Sequence, residues 1–164
     1  MIRNASRSDA QAIADIYNYY IEHTVVTFEE EKVTADEIIQ RIAKVQASGH
    51  LWLVKEVNQQ LVGYAYSTKW RERTAYRFAC EVSVYLSPDH QGKGIGTNLY
   101  QALFEQLNNM SIKTVIGGIT LPNDASIALH EKFGLHQVAK FERVGYKFGQ
   151  WLDTGYWQKQ LTSE

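Results

Sequence analysis

The fold of this chain is decided by one stretch of its sequence, Glu81-Val82-Ser83-Val84-Tyr85-Leu86-Ser87-Pro88-Asp89-His90-Gln91-Gly92-Lys93-Gly94-Ile95-Gly96. The β-branched and aromatic residues from Ala79 to Leu86 predict a strand. Glycines then alternate with other residues, and they permit backbone angles closed to side chains, so successive N–H groups can converge on an anion. The stretch therefore predicts a strand that leads into an anion-binding loop.

A helix predicted from Gly94 to Met110 follows this loop, and its apolar residues recur on one face. The free N–H groups and the positive dipole end of its first turn favour a phosphate at the loop. A dinucleotide-binding fingerprint is excluded because it requires glycine where Thr97 stands, and a P-loop is excluded because no Gly-Lys-Ser/Thr is present. The alternative is a glycine-rich turn that only lets the strand and helix pack closely.

Two segments resemble the GNAT superfamily of N-acetyltransferases. Residues 91–96 are similar to its Gln/Arg-x-x-Gly-x-Gly/Ala motif, which holds the pyrophosphate of acetyl-CoA, and residues 123–134 resemble its second motif, which borders the pantetheine arm. Within the superfamily, four further segments are similar to the phosphinothricin and methionine sulfoximine N-acetyltransferase group: residues 27–30, 63–66, 81–85 and 145–153. The resemblance therefore extends along nearly the whole chain.

Composition limits the classes of protein to which the chain can belong. Its 164 residues, 45% of them hydrophobic and 21% charged, predict a single domain over residues 1–164. A net charge of −1 argues against nucleic acid or an anionic membrane as a partner. The one cysteine excludes an internal disulfide and favours the cytoplasm, and no apolar run approaches membrane-spanning length. We expect neither a targeting segment nor a metal site.

Hydrophobic periodicity predicts the element order β-α-α-β-β-β-α-β-α-β-β. Capping boxes of Ser8 with Gln11 and of Thr34 with Glu37 predict the starts of the first two helices, and the second ends near residues 48–49. A loop from His23 to Lys32 separates these helices. Strands are predicted over Ile2 to Ala5, Leu51 to Val57, Leu61 to Tyr66 and on toward Trp70, Ala79 to Leu86, Thr114 to Ile119, Gln137 to Arg143 and Trp151 to Gln160.

These elements predict an α/β fold: a mixed, mostly antiparallel sheet with helices on both faces. The crossover helix makes the strands Ala79 to Leu86 and Thr114 to Ile119 a parallel pair. A last helix, capped by Asn123 or Asp124, runs to Lys132. The resemblance implies that the parallel pair splays apart, and that acetyl-CoA enters the gap. The cofactor-binding residues it implies are Val84, Tyr85, Leu86, Gln91, Gly92, Lys93, Gly94, Ile95, Gly96, Thr97, Asn123 and Ser126.

Glu81 is the predicted general base for acetyl transfer to an amine. It lies within an apolar strand run, where carboxylates are depleted and burial would raise the pKa. The alternative is a glutamate on an edge strand or in a salt bridge, but the position matches that of the base in the family. A backbone N–H of Val84 or Tyr85 would stabilise the oxyanion.

The sequence leaves more than one candidate for the general acid. Many members of the superfamily carry tyrosine where this chain has His130, which could protonate the leaving thiolate or merely hold its helix against the cofactor. Tyr85 or Tyr100 could replace it. Cys80 could carry the acetyl group covalently, but in a strand it points away from Glu81, and a small core side chain is the simpler interpretation.

The acceptor site is predicted from two segments. Phe28 and Glu29 lie in the loop between the first two helices, and Arg73, Thr74, Ala75 and Tyr76 belong to an aromatic and basic segment before Glu81. A guanidinium can hold a carboxylate or phosphinate through two hydrogen bonds. The alternative is a solvated loop. The 145–153 segment is expected beside the site or at a dimer contact.

The leading prediction is an acetyl-CoA-dependent N-acetyltransferase, an acyltransferase acting on a small amino acid or analogue such as phosphinothricin or methionine sulfoximine. The transfer would proceed by direct attack. One alternative keeps the fold but changes the acceptor to a polyamine, an aminoglycoside or a protein N-terminus. The other is a non-catalytic acetyl-CoA-binding module, against which Glu81 argues. The resemblance also implies a homodimer.

Overall fold

A computed structural model describes residues 1–161, and its element order is the predicted one. Four helices form, together with short 3₁₀ turns: α1 Ala10–His23, α2 Ala35–Ala47, α3 Ile95–Asn108 and α4 Asp124–Lys132. The strands are β1 Ile2–Asn4, β2 Trp52–Val57, β3 Gln60–Lys69, β4 Ala79–Leu86, β5 Thr114–Leu121, β6 His136–Lys147 and β7 Gln150–Gln160.

The strands form one seven-stranded sheet in the order β1-β2-β3-β4-β5-β7-β6. Every neighbouring pair is antiparallel except β4 with β5. These two strands pair only from Ala79 to Glu81 on β4 and from Thr114 to Ile116 on β5. Beyond Glu81, β4 keeps β3 as its partner and β5 keeps β7, so the two strands diverge. The predicted mixed sheet and its splayed parallel pair are confirmed.

Helices cover both faces of the sheet, as predicted. On one face α1 and α2 bury Trp52, Val54 and Tyr64. On the other face α3 packs against Val62 and Val82. Because side chains alternate along a strand, each central strand supplies apolar residues to both cores.

The start of α1 differs from the prediction. The box of Ser8 with Gln11 is wrong, because a capping box forms earlier, between Ser6 and Asp9 at a 3₁₀ turn, and α1 begins after it at Ala10. The Ser6 N–H donates to the Asp9 carboxylate at 2.8 Å, and Arg3 donates to both oxygens of that carboxylate at 2.8 Å. This charge-assisted pair holds Asp9 in place and moves the cap toward the N-terminus.

Two other predicted caps form. The N–H of Glu37 donates to Thr34 Oγ1 at 3.2 Å at the start of α2. The N–H of Ser126 donates to Asn123 Oδ1 at 3.1 Å at the start of α4. The second cap fixes the turn that follows β5, on one side of the opening between the splayed strands.

The last two strands form a hairpin, and the first of them extends beyond its predicted end. β6 was predicted to stop at Arg143, but it continues to Lys147 past an irregularity between Phe141 and Gly145. Arg143 adopts a positive φ of 55° there, and its N–H donates to Asp153 Oδ1 at 2.8 Å. A bulge of this kind interrupts the sequence pattern without ending the strand, which explains the short prediction.

Candidate functional site

The divergence of β4 and β5 opens a cleft of about 740 Å³. Its walls come from the C-terminal end of α1, the end of β4, the glycine loop, the turn into α4 and the tip of the β6–β7 hairpin. Predicted cofactor residues that line it are Val84, Tyr85, Leu86, Gln91, Gly92, Gly96, Asn123 and Ser126. Lining residues that the sequence analysis did not identify include Tyr19, Tyr20, His23, Thr24, Val25, Val26, Thr120 and Pro122. Phe148 and Gln150 also line the cleft, and they belong to the 145–153 segment that was expected beside the site or at a dimer contact.

Two of the three glycines in the loop adopt the left-handed backbone conformation that an anion-binding nest uses. Gly92 and Gly94 have φ angles of 75° and 77°, and a Cβ atom on either would meet nothing within 4 Å. Gly94 is also the N-cap of α3, so the free N–H groups of the first helical turn adjoin the loop. Lys93 is exposed between them. The loop is therefore open to a ligand.

The other three predicted residues of this motif have different surroundings. Gly96 is buried within α3, where a Cβ would lie 3.4 Å from Leu129 Cδ2. The Ile95 side chain belongs to the core, so only its backbone can face a ligand. Thr97 Oγ1 accepts a hydrogen bond from Lys132 at 3.4 Å and does not line the cleft.

Gln91 connects the glycine loop to α1. Its Nε2 donates to the Tyr20 hydroxyl at 2.9 Å, and that hydroxyl donates to the Leu86 carbonyl at 2.5 Å. Tyr20 also packs edge-on against Tyr85, with ring centroids 5.3 Å apart. The first residue of the motif thus holds the end of β4 and the wall of the cleft together, a contact that sequence reasoning missed.

At its inner end the cleft narrows to a cavity of about 50 Å³ between the splayed strands. Segments 82–85 of β4 and 118–120 of β5 line it, with Ser126 and His130 of α4. Alternate residues of β4 in this region direct their backbone groups away from β3 and toward the gap. A ligand that carries amides and a carbonyl can bond to these groups.

Glu81 lies where the two strands separate. Its Oε2 would lie 3.4 Å from a Cβ on Gly118, so the carboxylate rests on β5 across the opening. No hydrogen bond holds this carboxylate within residues 1–161. Burial raises the pKa of Glu81, and the nearby charge of Arg71 lowers it by a smaller amount. Because its pKa is raised, this carboxylate is a stronger base than an exposed glutamate.

A cluster of aromatic residues adjoins Glu81 through Tyr156. A Cβ on Gly118 would lie 3.1 Å from Tyr156 Cε1, which places Tyr156 beside the carboxylate. Trp70 and Phe141 pack edge-on against Tyr156, with ring centroids 5.8 and 5.9 Å apart. Of this aromatic wall (Trp70, Phe141 and Tyr156), the sequence identified only Trp70, as part of the aromatic and basic segment before Glu81, because the other two members come from distant strands.

His130 is buried below the narrow end of the cleft and is hydrogen-bonded at both ring nitrogens. Nδ1 donates to the Ser126 carbonyl at 2.7 Å, so Nε2 accepts from the Tyr100 hydroxyl at 3.1 Å. Burial lowers the pKa of His130. Its ring lies directly against Gly117, where a Cβ would be 2.6 Å from Cδ2.

Cys80 is fully buried, and burial raises the pKa of its thiol to about 12, as expected for a core side chain.

The structure places Phe28 and Glu29 in the loop between α1 and α2. The Phe28 ring packs on Gly145 of β6, where a Cβ would lie 2.3 Å from Cζ. Glu29 accepts hydrogen bonds from Arg41 at 2.9 and 2.8 Å and another from the Tyr17 hydroxyl. These bonds hold the pKa of Glu29 below its usual range, so its charge is compensated within the protein.

The other predicted acceptor residues form an exposed turn. Thr74, Ala75 and Tyr76 make a 3₁₀ turn capped by Arg73, and none of the four lines the cleft. The cation whose charge acts on Glu81 is instead Arg71. Its guanidinium stacks on Trp70, 4.0 Å from the ring centroid. The sequence analysis therefore identified the correct segment, but the structure brings a different arginine to Glu81.

Within residues 1–161, no group of three His, Cys, Asp or Glu side chains is placed to hold a metal ion. In the same part of the chain, no helix has both the length and the apolar character needed to cross a membrane.

Comparison with known proteins identifies relatives over nearly the full chain. A family model described as an acetyltransferase (GNAT) domain matches residues 2–155. A phosphinothricin N-acetyltransferase of Streptomyces viridochromogenes is 39% identical, with 98% of this chain and 87% of that protein covered. A Salmonella typhimurium acetyltransferase of L-methionine sulfoximine and L-methionine sulfone is 37% identical, with 98% and 94% covered.

A solved structure shares the fold. An acetyltransferase from Salmonella typhimurium, solved with its cofactor acetyl-CoA, superposes with a TM-score of 0.96 at 36% identity. The superposition covers 100% of this chain and 95% of that one.

Proposed function

Because the chain belongs to the GNAT family of acetyltransferases, it is an N-acetyltransferase that uses acetyl-CoA, and we propose that it acetylates the α-amino group of a small amino acid or analogue. Phosphinothricin and methionine sulfoximine are the acceptors we favour, because two relatives at 37% identity or above are named for them. Charge also supports an anionic acceptor: Arg71 is exposed beside Glu81, whereas Glu29 is already neutralised by Arg41.

The proposed reaction is a direct transfer with Glu81 as the general base. Glu81 takes a proton from the acceptor ammonium, directly or through one water, and the nitrogen lone pair then attacks the thioester carbonyl carbon. The C–N bond forms, the C–S bond breaks, and coenzyme A leaves as the thiolate, which takes up the second proton that the nitrogen loses as the amide forms. A backbone N–H of Val84 or Tyr85 stabilises the oxyanion, since both residues line the narrow end of the cleft.

One observation carries this proposal: a half-buried carboxylate without a hydrogen-bond partner in residues 1–161 stands where the cofactor strands separate. A structural glutamate would be paired, as Glu29 is with Arg41. We assign His130 a role in holding α4 rather than in proton donation, because Ser126 and Tyr100 occupy both of its nitrogens. A coenzyme A thiolate can leave without an acid.

Thiol release from acetyl-CoA over a panel of amines tests the proposal. We expect turnover with phosphinothricin or methionine sulfoximine, and we expect Glu81→Gln to lower kcat by about 10²–10⁴-fold at neutral pH. The affinity for acetyl-CoA should not change. Glu72→Gln, an exposed carboxylate in the neighbouring loop, is the matched control. Parent-like activity of Glu81→Gln would require another base.

The same panel separates the alternatives. Preferential turnover of polyamines, aminoglycosides or a peptide N-terminus would show that the acceptor differs from the proposed one, while the acetyl-transfer reaction is the same. Acetyl-CoA binding without turnover of any amine would favour the non-catalytic module and refute the proposal.

We also propose a homodimer, on the evidence of an exposed apolar surface on the β6–β7 hairpin. Val144, Tyr146, Phe148 and Trp151 are each more than half exposed, at 56, 57, 58 and 56%. Such a contiguous patch is unusual on a monomer. Sedimentation of Trp151→Glu, compared with the parent, tests whether this surface joins two copies.

The cytoplasm is the compartment we propose, since the lone thiol of Cys80 is buried and unpaired.

A further inference from the structure

Lys147 is a buried lysine near the end of β6 with no assigned role. Only 1% of its surface is exposed. Its Nζ donates to the backbone carbonyl of Thr27 at 2.8 Å and lies 5.0 Å from the centroid of the Phe148 ring. No carboxylate lies within 4.0 Å of Nζ among residues 1–161. Burying an ammonium group costs free energy, and the hydrogen bond to Thr27 offsets part of this cost.

The two segments that Lys147 connects are both walls of the cleft. Thr27 directly follows Val25 and Val26, which line the cleft from the loop between α1 and α2. Lys147 directly precedes Phe148, which lines it with Gln150 from the hairpin tip. These segments are about 120 positions apart in sequence. A hydrogen bond between them therefore sets the distance between one wall and the other.

Two further contacts hold the same loop in place. The Phe28 ring packs against Gly145, two residues before Lys147. The Tyr17 hydroxyl lies 2.8 Å from Thr27 Oγ1, which ties the loop to α1. Burial lowers the pKa of Lys147, while the negative charges of Glu29 and Glu30 oppose this effect. The carboxylates that face the lysine thus help to keep it charged.

We propose that Lys147 is a positioning residue that fixes the width of the acetyl-CoA cleft by tying the 24–34 loop to the β6–β7 hairpin. It acts through Val26 and Phe148 rather than by touching the reacting atoms. The glycine loop, between β4 and α3, is a separate wall of the cleft and has no hydrogen bond to Lys147 within residues 1–161. This role concerns only the binding of acetyl-CoA, so it can be tested independently of the proposed acceptor.

Calorimetry with two ligands tests it. Since hydrogen bonds of charged groups are among the stronger ones, we expect Lys147→Met to raise the Kd of acetyl-CoA about 10-fold. The Kd of 3′-phosphoadenosine 5′-diphosphate, the nucleotide half of the cofactor, should stay at the parent value because it needs only the glycine loop. Amide hydrogen exchange should increase in residues 24–30. Lys147→Arg, which can still donate to the carbonyl, should restore part of the affinity.

Lys140→Met is the matched control, because Lys140 is on the same strand but its side chain is exposed, and its one ion pair within residues 1–161 is with Asp153, at 3.7 Å. It should leave both Kd values unchanged. Parent-like acetyl-CoA affinity and exchange in Lys147→Met would overturn the proposal, as would equal losses for both ligands in a folded variant. If Lys147→Met does not fold, the same two Kd values are measured for Gly145→Ala. Its Cβ would displace Phe28 and with it the 24–34 loop. A selective loss of acetyl-CoA supports the proposal, and any other result overturns it.

Discussion

Replacing Gly94 by alanine tests whether the glycine loop binds the cofactor through its backbone. Gly94 has a φ of 77° and a ψ of 8° at the N-cap of α3. An alanine Cβ would meet no other atom within 4 Å, so the substitution adds no collision within the protein. Its effect is then confined to the backbone conformation, which L-residues other than glycine rarely adopt.

The size of the effect follows from that conformation. Holding a residue with a Cβ in the left-handed region costs about 1–2 kcal/mol. If phosphate binding requires this backbone geometry, the strain appears in binding, and the Kd of acetyl-CoA rises by about 5- to 30-fold. Gly94→Val should raise it further, because a β-branched side chain is less tolerated at positive φ. A Cβ that touches the pyrophosphate would add to both values.

Gly49→Ala is the matched control for this experiment. Gly49 has a φ of 83°, also with nothing within 4 Å of a Cβ, but it follows α2 and does not line the cleft. Calorimetry should show a weaker affinity only for Gly94→Ala, and denaturant unfolding should show that both variants remain folded. An unchanged Kd in Gly94→Ala would refute the backbone nest and leave a packing role for the glycine.

Two further predictions concern the narrow end of the cleft. Arg71→Gln should move the acidic limb of the pH–rate profile to higher pH, because the charge of Arg71 lowers the pKa of Glu81 and its removal leaves the effect of burial unopposed. The exposed Arg77→Gln is the control, and an equal shift there would contradict the reasoning. Gly117→Ala should lower the free energy of unfolding by about 1–3 kcal/mol through overpacking against His130. An unchanged denaturation midpoint would show that the ring can move aside.

Local patterns were sufficient for most of the fold. The strand Ala79–Leu86 has its predicted bounds, because its β-branched residues and the following Ser-Pro turn are both local signals. The parallel pairing with Thr114–Leu121 followed from the intervening crossover helix. The cap at Ser8 was wrong because an ion pair of Arg3 with Asp9 competes with it, and such pairs are not visible in a cap motif.

The candidate site was predicted where its residues are close together in sequence. The glycine loop and the end of β4 belong to one segment, so a motif could identify them. Tyr20 lines the same cleft from α1. It carries no distinguishing local signal, because an aromatic residue in a helix is usually part of a core or a surface. Phe148 lines the cleft from the 145–153 segment, which only the resemblance to the family had marked as a possible neighbour of the site.

The sequence by itself determined the element order and predicted the anion-binding loop, since both depend on residue type and short spacing, and the resemblance to the family added Glu81 as the proposed base. The tertiary structure decided which groups surround that base: Arg71 rather than Arg73, with Tyr156 and Trp70 beside it. It also decided that Lys147 joins the two cleft walls. Burial and charge act through space, so the partners of a group, and with them its pKa, are fixed only when distant segments meet.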